Sequence, residues 1–389
     1  MTTSNQRMMD NASILPDETL LEVLLRLPVK AILRFRAVCR SWAALLSSDS
    51  FCDLHMAKNA DREPPALPEL LYLTPCRSSI ATELRCSSDG RLLLTVKDVI
   101  RQFASMTPVP CRGLTLLHHD ARHQDDYYLC NAATRAVAKL PPCHDQPQVC
   151  SAGLGFDAAT RQHKVVRLFA VQWAEDVRDA IKCEVFTVPG SGDRWRPAAG
   201  GLRLPSAFCE LGCAAIDTAL SFSLMPVFAD GFLHWIILPI CKFMDAAVLS
   251  FSLADETFSL VASPSPFVGS HLVELDGRLC AVQELPYRRL TEIWSEKEYG
   301  SGDWSLEHRI DLAQRGGKDL IEAEEHVRVL GGCRPGKKLV FVTSKGKVIA
   351  CDPTSGTLET ILQLQGNRHP DSRNVTDVCL LQESLAPVH

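Results

Sequence analysis

The 389-residue chain lacks any apolar run approaching the roughly 20 residues that a membrane-spanning helix needs. Its opening stretch, MTTSNQRMMDNAS, has no hydrophobic signal core, so the protein is expected to act in the cytoplasm or nucleus. Charge of one sign is also missing: 41 Lys and Arg against 46 Asp and Glu leave a net charge of −5. Nucleic-acid binding needs a concentrated basic face, so neither nucleic acid nor membrane is expected as a partner. Sixteen cysteines are present, but no C-x-x-C pair occurs among them. Those beside apolar residues, such as Cys130, Cys183, Cys280 and Cys351, read as reduced thiols packed like small hydrophobes.

Catalytic signatures are equally scarce. Gly331 to Lys338 nearly spells a phosphate-binding loop, but Lys338 replaces the hydroxyl residue that should hold Mg²⁺, and Leu339–Thr343 after it reads as a strand. Cys52 and His55 have a metal-like spacing with no second pair at finger distance. His118, His119, Asp120 and His123 form a polar cluster that reads as a loop, and His234-Trp235 reads as a packed strand pair. No Ser-His-Asp or paired-carboxylate arrangement can be placed together, so no catalytic residue, metal or cofactor is expected.

What is present falls into two parts. In LPDETLLEVLLRLPVKAILRFRAVCRSW (residues 15–42), Pro16 suits a first helical turn and Asp17 and Glu18 favour its positive dipole end. Leu20, Leu24 and Leu27 make one helical stripe, with Leu21 and Leu25 beside it. Pro28 ends this helix and opens a second, and a third is expected from about Val38 to Leu46, before a last short turn reaching His55. A unit this small buries little of its own surface. The excess leucines therefore call for cover, either from a partner protein or from the rest of the chain. Lys30, Arg34, Arg36 and Arg40 cluster without an acid among them, as a solvated face or a complement to an acidic partner.

Three strings here carry a resemblance: Leu15-Pro16-x-Glu18-x-Leu20-x-x-x-Leu24-x-x-Leu27-Pro28, Leu33-Arg34-x-Arg36-x-Val38-Cys39-x-x-Trp42, and Ser48-x-x-Phe51-x-x-x-His55. Together they resemble an F-box over the whole module without a gap. The resemblance implies docking on the Skp-type adaptor of a cullin–RING ubiquitin ligase. Leu15, Pro16, Leu20, Leu24, Pro28, Leu33, Val38, Cys39 and Trp42 would form or support that surface, with Trp42 and Leu45 equally readable as internal core.

After the proline-rich NADREPPALP (59–68), short strand-like runs recur between Gly, Asp, Asn, Pro and Ser. GSGDRW at 190–195 returns as GSGDW at 300–304, and FADGFLHWIIL at 228–238 is echoed by LVELDGRLCAV at 272–282. A strand–Asx turn–strand unit appears at 127–140, 154–169, 248–261 and 348–362. Repetition on this scale predicts an all-β propeller of about six blades, with seven or a β-sandwich pair as alternatives, and a strand at Val375–Leu381 that closes the ring. The same segments are similar to the F-box-associated domain of plant F-box proteins, through Gly155-Phe156-Asp157, Lys164-Val165-Val166, Asp230-Gly231-x-x-His234-Trp235, Glu256-x-Phe258, Leu275-x-Gly277-x-Leu279 and Ile293-Trp294. Ser252 departs from the Asp and Ala159 from the Ser often found there.

The expected organisation is a disordered 1–13, a helical F-box at 14–58, a linker at 59–68 and a propeller-like domain at 69–385, an α+β multidomain chain. The resemblance implies the non-catalytic substrate-recognition subunit of an SCF-type ubiquitin ligase, recruiting a target through its β-domain. The alternative is a sugar-binding propeller or hydrolase under a helical cap. That alternative requires titratable side chains converging at one propeller mouth.

Overall fold

The computed structural model describes residues 17–60, 67–100, 104–121, 124–143, 150–170, 181–188, 194–200, 225–237, 247–264, 270–285, 289–312, 321, 325–332, 338–364 and 378–388. Among these, four helices precede six four-stranded antiparallel sheets. The helices are α1 (Asp17–Leu25), α2 (Val29–Phe35), α3 (Arg40–Leu46) and α4 (Asp49–Ala60). Blade 1 holds β1 (Leu70–Pro75), β2 (Ala81–Cys86) and β3 (Leu92–Lys97). Blade 2 is β4 (Ala104–Met106), β5 (Thr115–Ala121), β6 (Gln124–Asn131) and β7 (Ala136–Lys139). Blade 3 is β8 (Cys150–Asp157), β9 (Gln162–Ala170), β10 (Ile181–Val188) and β11 (Arg196–Pro197). Blade 4 is β12 (Val227–Ala229), β13 (Phe232–Ile237), β14 (Ala247–Ser252) and β15 (Phe258–Ala262). Blade 5 is β16 (Ser270–Leu275), β17 (Arg278–Leu285), β18 (Leu290–Glu296) and β19 (Trp304–Asp311). Blade 6 is β20 (Val327–Gly331), β21 (Leu339–Thr343), β22 (Lys347–Cys351) and β23 (Leu358–Gln363). The final strand, β24 (Val378–Leu380), returns to pair with β1, as the sequence predicts for the closing strand.

Strand alternation explains why the blades need one another. Successive side chains point to opposite faces of a sheet, so each blade sends two apolar sets outward. Val165 packs with Leu129 and Leu154 between blades 2 and 3, while its neighbour Val166 packs with Leu233 and Phe251 between blades 3 and 4. Leu84, Met106 and Leu117 fill the seam between blades 1 and 2. Val227, Leu272 and Ala281 fill the next seam but two, between blades 4 and 5. Val282, Ile293 and Phe341 join blades 5 and 6, and Leu70, Val342 and Val378 join blade 6 to blade 1. Cys130, Cys183, Cys280 and Cys351 lie in these seams as free thiols, and burial pushes Cys130 up to about 12.

The repeated sequence units are turn and seam devices. Asn131, Asp157 and Asp352 each accept backbone N–H bonds from residues two and three places on, closing the turn that follows a strand. Ser252 does the same for Asp255, which accounts for its standing in an Asx position. Four residues after each of these sits a positive φ: Arg135, Arg161, Glu256 and Gly356. The Asp230-Gly231 and Asp276-Gly277 pairs both have positive φ, the conformation of a two-residue hairpin turn matched to strand twist. The two tryptophans of the GSGD-type repeats act alike: Trp195 Nε1 donates to Pro141 O at 2.9 Å and Trp304 Nε1 to Ala262 O at 2.8 Å. Each indole ties a blade to the outer strand region of the blade before it.

His118 and His119 are not in a loop. They lie in β5 paired with β6, where His118 stacks on Tyr127 at 4.9 Å and the buried His119 accepts the Ile100 amide on Nε2 at 3.1 Å. Polar sequence hides a strand whose two histidines find partners on β6 and in the β3–β4 connection. His123 lies outside the described residues.

A buried charge network joins blades 3 and 4. Arg196 grips both oxygens of Glu256 at 2.7 and 2.5 Å, and the Ala199 amide donates to the same carboxylate at 2.7 Å. Lys164 Nζ lies 3.1 Å from Glu256 and 3.0 Å from Asp157. Burial alone would raise the Glu256 carboxyl, but the Arg196, Ala199 and Lys164 bonds outweigh it and hold it at about 2. An unfolded glutamate titrates near about 4.3, so this group stabilises the fold above that value and the contribution is lost as pH falls towards 2. Denaturant melts between pH 5 and 2 (roughly this window) should therefore show stability falling with acid. Glu256→Gln should flatten that limb, and an unchanged limb would remove Glu256 as its source.

Candidate docking surfaces

The helical head is held by caps as much as by leucines. Ser48 Oγ accepts the Phe51 amide at 3.3 Å and so caps α4. Arg36 donates to Leu46 O at 2.7 and 3.1 Å, satisfying the end of α3. This removes Arg36 from the free basic cluster and leaves Lys30, Arg34 and Arg40 exposed. His55 is a structural residue: its Nε2 bonds Leu27 O at 2.8 Å, its Nδ1 lies 3.2 Å from the Asn59 amide nitrogen, and its ring stacks on Phe51. Among the described residues no cluster of His, Cys, Asp and Glu has metal-holding geometry.

The apolar core of the head is Leu24, Leu25, Val29, Ile32, Leu46 and Phe51, joined by Leu385 from the end of the chain. Both α1 stripes are thus engaged. Leu24 and Leu25 are sealed, and Leu20, Leu21 and Leu27 are half-buried against the same core. The cover comes from α4, a twelve-residue helix where the sequence suggests a short turn, and from Leu385. Neither is visible in the local pattern of residues 15–42.

The expected adaptor-facing residues divide accordingly. Leu15 and Pro16 lie outside the described residues. Leu24, 1% exposed, is sealed in the head's core. Pro28 is exposed at the start of α2, and Leu20, Leu33 and Trp42 are half-buried. Helix α3 begins at Arg40, because Cys39 is extended, so Val38 and Cys39 sit in the α2–α3 connection and are exposed. Val38 is the most open of the head's large apolar residues at 64%, and Leu45, one helical turn beyond Trp42, is 40% exposed. Phe35 meets Trp42 edge-on at 5.5 Å beneath them. Leu54 on α4 and Val23 on α1 are open too, at 49% and 47%, so apolar side chains are exposed on α1, α3 and α4 as well as in the α2–α3 connection, where Val38 is the most open.

The propeller offers a second surface. In each blade, connections alternate between the two faces of the ring. The helices touch Arg112, Ala133 and Arg161, which all lie in first-to-second or third-to-fourth strand turns. The remaining connections leave from the opposite face. Residues 141–150, 196–220 and 311–327, the long stretches that suggest recognition loops, all join the fourth strand of one blade to the first of the next. Their strand ends therefore open away from the helices, and most of these residues lie outside the described set.

The polar groups that could suggest catalysis are tied down elsewhere. His234 is fully buried, bonded to Ser250 Oγ at 2.8 Å and Ala229 O at 3.3 Å, and burial lowers it to about 4. Trp235 Nε1 donates to Ser151 Oγ at 3.0 Å. The segment resembling a phosphate loop joins two antiparallel strands, β20 and β21, and Lys338 pairs with Glu359 at 2.7 Å.

Comparison with known proteins matches both parts. Residues 13–54 match the F-box domain, and residues 94–358 match the F-box associated beta propeller domain. The F-box protein At3g07870 of Arabidopsis thaliana is 28% identical over 394 residues, spanning 90% of this chain and 87% of that protein. F-box protein At5g49610 of the same plant is 24% identical over 327 residues, spanning 78% and 81%. The putative F-box/kelch-repeat protein At1g13200, also from Arabidopsis thaliana, is 24% identical over 339 residues, spanning 79% and 75%.

Proposed function

The chain belongs to the F-box-associated β-propeller family and carries an F-box at its head, and from that premise we infer that it is the substrate-recognition subunit of an SCF-type ubiquitin ligase. The head docks a Skp-type adaptor, which links it to a cullin–RING ligase. The propeller face away from the helices holds a target protein. The chain itself makes and breaks no bond: it raises the effective concentration of target near a ubiquitin-charged enzyme, in the cytoplasm or nucleus.

The observation that supports this reading is that Val38, Leu54, Val23 and Leu45 stay open in a head whose core is already filled, with Val38 the most exposed of them. Each large apolar side chain left in water forgoes about 1.5–3 kcal/mol of burial, so a partner that covers these residues gains what the fold has not used. The proposed surface also takes in the exposed Pro28 and Cys39 and the half-buried Leu20, Leu33 and Trp42, while the sealed Leu24 supports the fold of the head.

A capture experiment tests the reading. The purified full chain should bind an immobilised Skp-type adaptor with a defined stoichiometry. A fragment beginning near residue 66, within the linker proposed at 59–68, should stay folded and should not bind. Failure of the full chain to bind would overturn the receptor reading. Binding by the fragment would move the docking surface off the head.

A further inference from the structure

The head is not merely tethered to the propeller. Asp53, on α4, receives Arg112 on one carboxylate oxygen and Arg161 on the other. Arg112 stands in the turn between β4 and β5 of blade 2, and Arg161 in the turn between β8 and β9 of blade 3. Both have positive φ, and both turns are braced: Arg112 lies over the Phe156 ring at 4.1 Å, while Asp157 closes the turn that ends at Arg161. One carboxylate is thus fixed from two blades at once.

The segment after β24 supplies a second, independent contact. Glu383 accepts the Val29 amide at 3.4 Å at the start of α2, and Leu385 is buried within the head's core. The same segment is pinned to blade 2. Gln382 accepts the Gly113 amide at 2.9 Å, and Asn131 Nδ2 donates to Ser384 O at 3.1 Å and to Ala386 O at 2.8 Å. The approach is so close that a Cβ at Gly113 would stand 2.1 Å from Ser384 Cβ. Residues 382–386 therefore lie between head and propeller and hold both.

We propose that Asp53, Arg112 and Arg161, together with residues 382–386, are positioning residues that fix the head in one orientation on the propeller, so that the adaptor-facing α2–α3 surface and the opposite propeller face are presented as one rigid unit. For a receptor subunit this sets where a bound target sits relative to the adaptor. The inference rests on the receptor reading only for that consequence, since the orientation itself can be measured without adaptor or target.

Chain length shows what the contacts must achieve. α4 ends at Ala60 and β1 begins at Leu70. If that connection alone held the head, a flexible tether of this size would let it range over roughly 15–18 Å. A single half-exposed ion pair is a weak restraint. Two guanidinium groups on one carboxylate, set beside a buried leucine, restrain rotation as well as separation.

The test is a distance distribution from spin labels placed on non-cysteine residues at exposed Lys30 of the head and Ser301 of blade 5, in the full chain. The wild type should give one narrow distribution. Arg112→Ala/Arg161→Ala, which leaves the head's own core and the 382–386 contacts in place, should broaden it measurably but short of the tether limit, and Asp53→Ala should do the same. Asp53→Glu should restore a narrow distribution, which a merely bulk-stabilising role does not require. Adaptor affinity and the propeller's melting temperature should be unchanged in all of these. A wild-type distribution already as broad as the tether allows, or an Arg112→Ala/Arg161→Ala distribution as narrow as wild type, would overturn the proposal. Loss of adaptor binding by the wild type would instead count against the receptor reading and leave the orientation intact.

Discussion

Deleting residues 378–389 should abolish the propeller's cooperative melting transition. Strand β24 is the innermost strand of blade 1: Leu70 pairs with Leu380, Leu71 with Cys379 and Tyr72 with Val378. Val378 completes the seam to blade 6 and Cys379 the seam to blade 2. Ala386 and Val388 fill the seam between blades 2 and 3, and Leu385 fills the head. Each of the larger side chains contributes about 1.5–3 kcal/mol by burial, against a net stability of about 5–15 kcal/mol for a typical domain. The deletion would also bare the backbone edge of β1, which invites pairing with other chains. Differential scanning calorimetry with light scattering is the measurement. A truncated chain that stays monomeric and melts in one sharp transition would show that the ring does not depend on its closing strand.

Val38→Asp should abolish adaptor capture while leaving the head folded. The side chain is 64% exposed and outside any helix, so the substitution disturbs little in the free protein. In a docked complex it would force an unpaired carboxylate into an apolar contact, at a cost of several kcal/mol. That corresponds to at least about 100-fold in affinity. Surface-binding kinetics with circular dichroism of the same samples would separate the two effects. Affinity within a few-fold of wild type would place the adaptor contact elsewhere on the head. The same substitution at Leu24 would not serve, because that residue is sealed and its loss reports unfolding.

How much of this is legible in the sequence alone depends on how local each signal is. The helical head, the ring of about six blades, the closing strand and the Asx turns are written in short windows: a proline before a leucine stripe, an Asp-Gly pair, an Asn or Asp four residues before a positive φ. Lys164 and Glu256 stand in the family-like strings, but their pairing across blades 3 and 4 does not show there. That both leucine stripes are engaged depends on α4 and on Leu385, the latter remote in sequence from α1. Nothing in the sequence singles out Asp53, since its partners stand in turns of two different blades. The histidines of β5 were misread for a related reason: their polarity suggested a loop, and only the facing strand supplied Tyr127 for His118 to stack on.

The pairing of β1 with β24 also dictates a timetable. The helical head is synthesised before every blade, and the strand that shuts the ring after all six. At about 5–20 residues per second, blade 1 waits on the order of tens of seconds for its missing partner. Leu385, which helps seal the head, arrives later still. A nascent or prematurely terminated polypeptide would therefore hold an unfinished ring and a loosely seated head, with greasy surface on show to chaperones. A head seated on a closed ring therefore exists only after residues 378–386 have been made, so the order of synthesis itself delays the settled pose of the two parts.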